Sequence, residues 1–254
     1  LHLLPGLTRI RGVLRTRYNQ YDSLIAPLTD WLTRHGVRIE TGTTVTSVGI
    51  EGGPEDRHVS SLTLRSGERI PVAAEDRVFL TLGSMTDGAT YGSNTTAPPR
   101  APGPQPSWDL WRALAREIPG MGAPETFCAD AGRTGWTSFT VTLPRPEFRD
   151  HVEHLTGNPT GTGGLVTIRD SAWLMSFVFF KQPHFRSQPK GTTVFWGYGL
   201  RGDRPGDFVA KPMWDATGDE IVDELCGQLR LSDHRAEWFA DARVLPCHMP
   251  FITS

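Results

Sequence analysis

Cysteine is scarce in this sequence. Its 254 residues hold three, Cys128, Cys226 and Cys247, with no paired spacing. An odd count without a framework excludes a disulfide-stapled scaffold and fits a reducing compartment, so the expected location is cytoplasmic. Long apolar runs are missing as well. The longest, near Val78–Leu82 and Ala172–Phe180, fall far short of the roughly 20 residues that a membrane-spanning helix needs. Leu1–Leu4 has neither a basic start nor a cleavage site, so no secretory leader is read there. Neither sign of charge is in excess: 26 basic residues face 28 acidic ones, a formal net charge of -2. That balance argues against general nucleic-acid binding. An initiator methionine is absent, and the last residues, Pro250–Ser254, read as a strand or turn cut short. A fragment of a longer protein is therefore expected.

What is present begins with a polar stretch, Arg15–Ser23, in which two tyrosines, an Asn, a Gln and two arginines crowd into nine residues. Two readings compete. Such a stretch is a capping turn, with Asp22 and Ser23 serving the helix that follows. The second reading is a set of hydrogen-bonding groups lining a cavity. The chain is long enough to bury a sizeable core in one large domain or two smaller ones.

Periodicity places the elements. Leu24, Ile25, Leu28, Trp31 and Leu32 recur at helical spacing, and Gly36 sits where a C-terminal glycine belongs, so Asp22–His35 is expected to be a helix with Trp31 in the core. Val37–Ile39 and Thr43–Ile50 read as strands, and Val59–Leu64 and Arg69–Val72 flank a Ser66-Gly67 hairpin turn. Val78–Leu82 is continuously apolar and ends in Gly83-Ser84. This pattern predicts a central parallel strand covered on both faces. The five prolines of Thr96–Pro106 mark a linker. Ser107 is expected to cap a helix buried through Leu110, Trp111, Leu114, Ala115 and Ile118. Thr137–Leu143, Leu165–Ile168, Asp170–Phe180 and Thr193–Leu200 read as strands of an aromatic-rich antiparallel sheet, whose apolar face walls a pocket or packs on helices. Pro146–Leu155 is a helix. Thr217-Gly-Asp-Glu220 is a capping box that starts another, through Leu229. A further helix is expected over Asp233–Ala242 and an extended segment over Val244–Ser254.

Three constellations are candidates for chemistry. His151 and His154 stand three apart on a helix, but a metal needs a third ligand and no His-Glu-x-x-His spacing is present, so no metal site is expected. His184, in Gln182-Pro-His-Phe185, follows the aromatic strand and is placed to meet an anion at a pocket mouth. Cys247 and His248 are adjacent on a strand and point apart, which excludes a dyad. The Gly-rich run Gly161–Gly164 feeds a strand rather than a helix N-terminus, so it is a tight turn and not a phosphate cradle. No Gly-x-Ser-x-Gly nucleophile turn occurs.

Seven segments then fall in one order: Arg17-Tyr-Asn-Gln-Tyr-Asp-Ser23, Gly83-Ser-Met-Thr86, Ser107-Trp-Asp-Leu-Trp111, Thr162-Gly-Gly-Leu-Val-Thr167, Asp170-Ser-Ala-Trp-Leu-Met-Ser176, Gln182-Pro-His-Phe185 and Met249-Pro-Phe-Ile-Thr-Ser254. Together they resemble the oleate hydratases, also called myosin-cross-reactive antigens. The resemblance implies FAD-dependent addition of water across a cis double bond of a free unsaturated fatty acid, such as oleate. It implies an α/β fold: part of a Rossmann-like FAD-binding domain over residues 1–98, a mixed α+β substrate domain over 99–245, and a return to the FAD domain over 246–254.

By the same resemblance Gln20 and His184 line the substrate site, while Val45 and Ser84 contact FAD. No catalytic residue is expected in this chain. The acid tyrosine, the water-activating glutamate and the Gly-rich FAD fingerprint belong upstream of Leu1, and Tyr18 and Tyr21 do not take the acid's role. Where members with the carboxylate-holding histidine place Thr and Asn six and four residues before it, this chain has Val178 and Phe180. Members are often homodimers and meet substrates that partition into membranes, so a homodimer and peripheral membrane contact are what the resemblance allows here. The alternatives are a flavin-dependent oxidoreductase of the amine oxidase or desaturase type, and a non-catalytic fatty-acid-binding fragment.

Overall fold

The computed structural model describes residues 15–162 and 164–252. Contacts divide the chain into two units. One takes the segment up to Arg38, Tyr91–Arg100 and Trp136–His248; the other takes Ile39–Thr90, Ala101–Gly135 and the segment from Met249.

The polar stretch leads into a π-helical turn, Tyr21–Ile25, continued by α1 (Ala26–Arg34) with a proline in its first turn. The cap is not the expected one. Asn19 Oδ1 accepts the Asp22 N–H at 2.8 Å, while the Ser23 hydroxyl turns back to Tyr18. Gly36 ends the helix at φ 86°, as its position predicts. Leu24, Ile25, Leu28 and Trp31 keep about half of their surface exposed, so the expected burial of this face is not met. Periodicity marks a face made to be covered, but it does not name the cover, and none of the described residues supplies it. Trp31 stacks instead on His35, with ring centroids 4.0 Å apart.

β1 (Val45–Glu51), β2 (His58–Leu64) and β3 (Arg69–Pro71) form an antiparallel meander in that order, with the Ser66-Gly67 turn where the pattern places it. Val37–Ile39 is not a strand. Nor is Val78–Leu82. Its segment belongs to no strand or helix, and Phe79 is 91% exposed. Leu80 and Leu82 pack on the cluster of Val48, Leu110 and Leu114, so only one face is covered. Apolar continuity specifies two covered faces only if neighbouring strands exist, and none is present among the described residues.

β4 (Thr90–Tyr91) precedes the proline-rich segment. α2 (Pro106–Glu117) follows with Trp108, Leu110 and Leu114 buried. Its start also differs from expectation: Pro106 occupies the first turn, and Ser107 gives its N–H and hydroxyl to the Asp87 carboxylate instead of capping. α3 (Glu125–Cys128) and α4 (Ala131–Thr134) are single turns.

The larger unit is built on a six-stranded sheet. β5 (Trp136–Leu143), β6 (Val166–Thr167), β7 (Met175–Phe179), β8 (Thr193–Gly199) and β9 (Arg243–Met249) join β4 in the order β4-β9-β5-β8-β7-β6. The pairings β5–β8, β7–β8 and β6–β7 are antiparallel. Alternation sorts the side chains into two faces. Phe179 and Phe195 pair in register, as do Phe195 and Val141, and all three are buried. Val178, Trp196 and Thr140 form the next row, on the opposite face and only half-buried. The buried face meets α5 (Glu147–Thr156), whose Phe148 is fully buried with its ring 4.9–6.1 Å from those of Phe177, Phe179, Phe195 and Phe239.

α6 (Gly218–Gln228) packs Ile221, Val222 and Leu225 into the same core and starts with the expected capping box. The expected Asp233–Ala242 helix is only a 3-10 turn, Ser232–His234, and α7 (Arg235–Trp238), with Asp241 at a positive φ of 58° soon after.

One buried acid has no counterpart in the sequence patterns. Glu224 is fully buried in α6. One of its oxygens accepts from the Asp207 N–H and Gln228 Nε2, the other from the N–H groups of Phe208 and Val209, all at 2.8–3.0 Å. Every oxygen faces two donors, so Glu224→Gln would turn a donor against donors. Glu224→Ala is expected to lower stability by at least about 3 kcal/mol, because three backbone N–H groups lose their acceptor. Glu224→Gln is expected to be clearly destabilising too, and a urea midpoint equal to that of the native protein would contradict this role.

His248 on β9 is also buried, at 2% exposure, and its Nδ1 has no partner among the described residues. Burial pushes its pKa down, and the Arg100 guanidinium adds to this against the pull of Asp215. The folded value lies below the unfolded one, so the unfolded chain binds the proton more readily. Stability is therefore expected to fall as pH drops below about 6.5, the ordinary histidine value. His248→Asn should flatten that slope in a pH series of thermal melts; an unchanged slope would count against it.

Candidate functional site

The polar stretch lies against the loop that follows β7. Asn19 holds it there: its backbone N–H donates to the His184 carbonyl at 2.7 Å, and its Nδ2 donates to the same oxygen at 3.2 Å. Asp22 adds a second tie, its carboxylate accepting the Arg186 N–H at 2.8 Å and its carbonyl accepting from the Arg186 guanidinium at 2.9 Å. The loop is fixed in turn by Gln188, whose Oε1 accepts the His184 N–H at 2.6 Å and whose Nε2 donates to Gln182 and to the Thr192 carbonyl. Side-chain amides thus replace a regular ladder in holding an irregular loop.

Between stretch and loop is an open cleft of about 550 Å³. Gln20 and His184, 164 residues apart in sequence, both line it, together with Tyr18, Leu24 and Phe180. The two residues that the resemblance assigns to substrate therefore share one cavity. The Phe180 ring stacks on the His184 imidazole with centroids 4.0 Å apart and planes 13° from parallel, which fixes the ring's orientation. Burial lowers the His184 pKa, the Asp22 carboxylate pulling weakly the other way. Burial thus favours the neutral imidazole, in which one nitrogen donates and the other accepts. Chemically, the cleft offers an apolar wall in Leu24 and Phe180 beside polar groups in Gln20, Tyr18 and His184, an arrangement suited to an amphiphile.

Sequence reasoning missed Asn19 and Gln188. The signal for Asn19 was local: an Asn three residues before a helical Asp is a capping pattern. Nothing local marks Gln188, whose partners are brought to it by the loop's path. Tyr18 lines the cleft with the Arg17 and Arg186 guanidiniums over its ring, 5.2 and 5.9 Å from the centroid, whereas Tyr21 is 66% exposed.

The two residues assigned to FAD lie in the other unit. Val45 opens β1 and packs on the Val48, Leu110 and Leu114 cluster. Ser84 gives its carbonyl to Trp108 Nε1 at 3.0 Å and shares its hydroxyl with Thr86 at 3.0 Å. Gly83 has a φ of 73°, and a Cβ there would come within 2.8 Å of the Trp108 ring. The glycine is thus packed closely on α2, where a side chain would meet the Trp108 ring. No strand–glycine turn–helix unit is formed among the described residues.

The remaining candidates separate in the same way. His151 packs on Trp238 at 5.4 Å, and no group of three His, Cys, Asp or Glu that could hold a metal occurs among the described residues. Cys247 meets the Ser138 hydroxyl, while His248 turns toward Trp214. Among the described residues no helix is long and apolar enough to cross a membrane.

Comparison with known proteins points to the same family as the seven segments. The MCRA family model matches residues 1–254. The chain is 35% identical over 269 aligned positions to an oleate hydratase of Streptococcus pyogenes serotype M49 (strain NZ131), covering 100% of this chain and 45% of that protein. It is 32% identical over 237 positions to a linoleate hydratase of Lactiplantibacillus plantarum, covering 87% of this chain and 42% of that protein. The chain thus spans less than half the length of these relatives. Its match along every residue establishes that the chain belongs to the MCRA family.

Proposed function

We propose that this chain is part of a fatty acid hydratase, an enzyme that adds water across a cis double bond of a free unsaturated fatty acid such as oleate. The observation that carries the reading is the shared cleft: Gln20 and His184 meet there beside the apolar Leu24 and Phe180. The names of the two relatives support the reaction class and do not favour the oxidoreductase alternative.

Hydration of an unactivated alkene needs a proton donor at one carbon and a positioned water at the other. The residues described here serve the steps around that chemistry. Leu24 and Phe180 shield the acyl chain from bulk water, and Gln20 orients the bound substrate. In the neutral form that burial favours, His184 offers a hydrogen bond without adding charge. The acid tyrosine and the water-activating glutamate are assigned to residues outside this chain. So is most of the FAD site, with Val45 and Ser84 at its margin. FAD itself is given a structural and electrostatic part, since hydration involves no net redox change. On this reading residues 1–98 and 246–254 contribute to the FAD domain and 99–245 to the substrate domain. Dimerisation and contact with lipid surfaces belong to the same proposal for the whole protein.

Two measurements test it. Gln20→Ala in the full-length protein is expected to lower kcat/KM on oleate by about tenfold, the worth of one hydrogen bond to substrate, or to shift the position of the hydroxyl. Unchanged kinetics and product would remove Gln20 from the site. The 254-residue chain alone, incubated with FAD and oleate, is expected to give no hydroxystearate by mass spectrometry; its appearance would show that the catalytic groups lie within this chain.

A further inference from the structure

The rim of the cleft carries two cations that the assignment of Gln20 and His184 does not use, Arg15 and Lys181. Among the described residues neither forms an ion pair or a hydrogen bond. The acid beside them, Asp22, is already engaged by Asn19 and by the Arg186 N–H. Lys181 is also held from behind. Gly161 lies against it so closely that a Cβ there would come within 2.8 Å of the Lys181 Cα, and the Gly161 N–H donates to the Phe179 carbonyl at 3.3 Å. The Gly-rich turn is thus a buttress that fixes the backbone of the residue after Phe180.

We propose that Lys181, assisted by Arg15, is the specificity-determining residue of this cleft, reading the ionised carboxylate of the amphiphile by charge. The inference rests on the fatty-acid reading above and adds to it the group that distinguishes an acid from a neutral lipid. Three observations bear it. The two cations, unpaired among the described residues, line the same cavity as the apolar Leu24 and Phe180, so one ligand can meet both kinds of surface at once. Burial disfavours the charged form of His184, whereas Lys181 and Arg15 carry their charge at the exposed edge of the cavity lining. The half-buried strand face next to the cleft is apolar at Val178 and Phe180, so the strand offers the head group no hydrogen-bonding side chain there. A carboxylate entering this cleft therefore finds its strongest partners at the rim, where charge-assisted hydrogen bonds are shorter and stronger than neutral ones.

The test compares binding of oleate and of oleyl alcohol, which share a chain and differ in head group, to the full-length protein by competition with a fluorescent fatty acid. Lys181→Met is expected to weaken oleate about tenfold and to leave oleyl alcohol within about twofold. Lys181→Arg is expected to restore oleate, and the oleate loss should shrink in 1 M salt, where charges are screened within about 3 Å. Equal weakening of both ligands would make Lys181 a packing residue and overturn the proposal, as would no effect on either. Binding of both ligands by the native protein with no preference for oleate would defeat the charge reading and leave the fatty-acid reading standing. Failure of the folded native protein to bind either ligand would instead remove the fatty-acid reading, and this inference with it.

Discussion

The pair of hydrogen bonds that Asn19 donates to the His184 carbonyl, with the parallel tie from Asp22 to Arg186, is the constraint on which the site depends. Neither partner is regular structure. One is a polar turn at the start of a helix, the other a loop beyond the end of a strand. A buried or half-buried backbone carbonyl must find a donor, and here both donors come from one residue. That residue also caps the helix through its remaining oxygen. Asn19 therefore sets the entry to α1 and the position of the β7 loop together, and Gln20 and His184 face a common cleft as a consequence.

The sheet behind the loop supplies the rigid side of this arrangement. Phe148 fixes one face by packing on Phe177, Phe179 and Phe195. Because strand side chains alternate, fixing Phe177 and Phe179 inward sends Val178 and Phe180 to the opposite face. Phe180 then reaches the cleft and lies flat on the His184 ring. Core packing on one face thus determines the chemistry presented on the other, and a register slip of one residue would exchange them.

Much of this was legible in the sequence where a local pattern had a local cause. The Ser66-Gly67 hairpin, the Thr217–Glu220 capping box, the alternating β5 and β8 strands and the stop at Gly36 each follow from a few neighbouring residues. Expectations failed where the outcome depended on partners elsewhere. Val78–Leu82 has the composition of a central strand but no neighbouring strand among the described residues. The apolar face of α1 likewise has no cover among the described residues. Ser107 has capping chemistry, yet the Asp87 carboxylate engages it. Glu224 gave no signal, since a single acid in a helix reads as solvent-facing until the loop that binds it is known. Within the site, Gln20 and His184 came from the resemblance, not from spacing. Their meeting across 164 residues is a property of the fold, and the rim cations Arg15 and Lys181 were ordinary surface charges until the cleft gave them a shared wall.

The central claim is that the cleft between the polar stretch and the β7 loop receives the fatty acid. Photo-crosslinking of the full-length protein with a diazirine-bearing oleic acid, followed by peptide mapping, tests it most directly. The account predicts label on peptides containing Leu24 or Phe180–His184, competed away by excess oleate. Competable label confined to other peptides, such as those of β1–β3, with the cleft peptides clean, would contradict it.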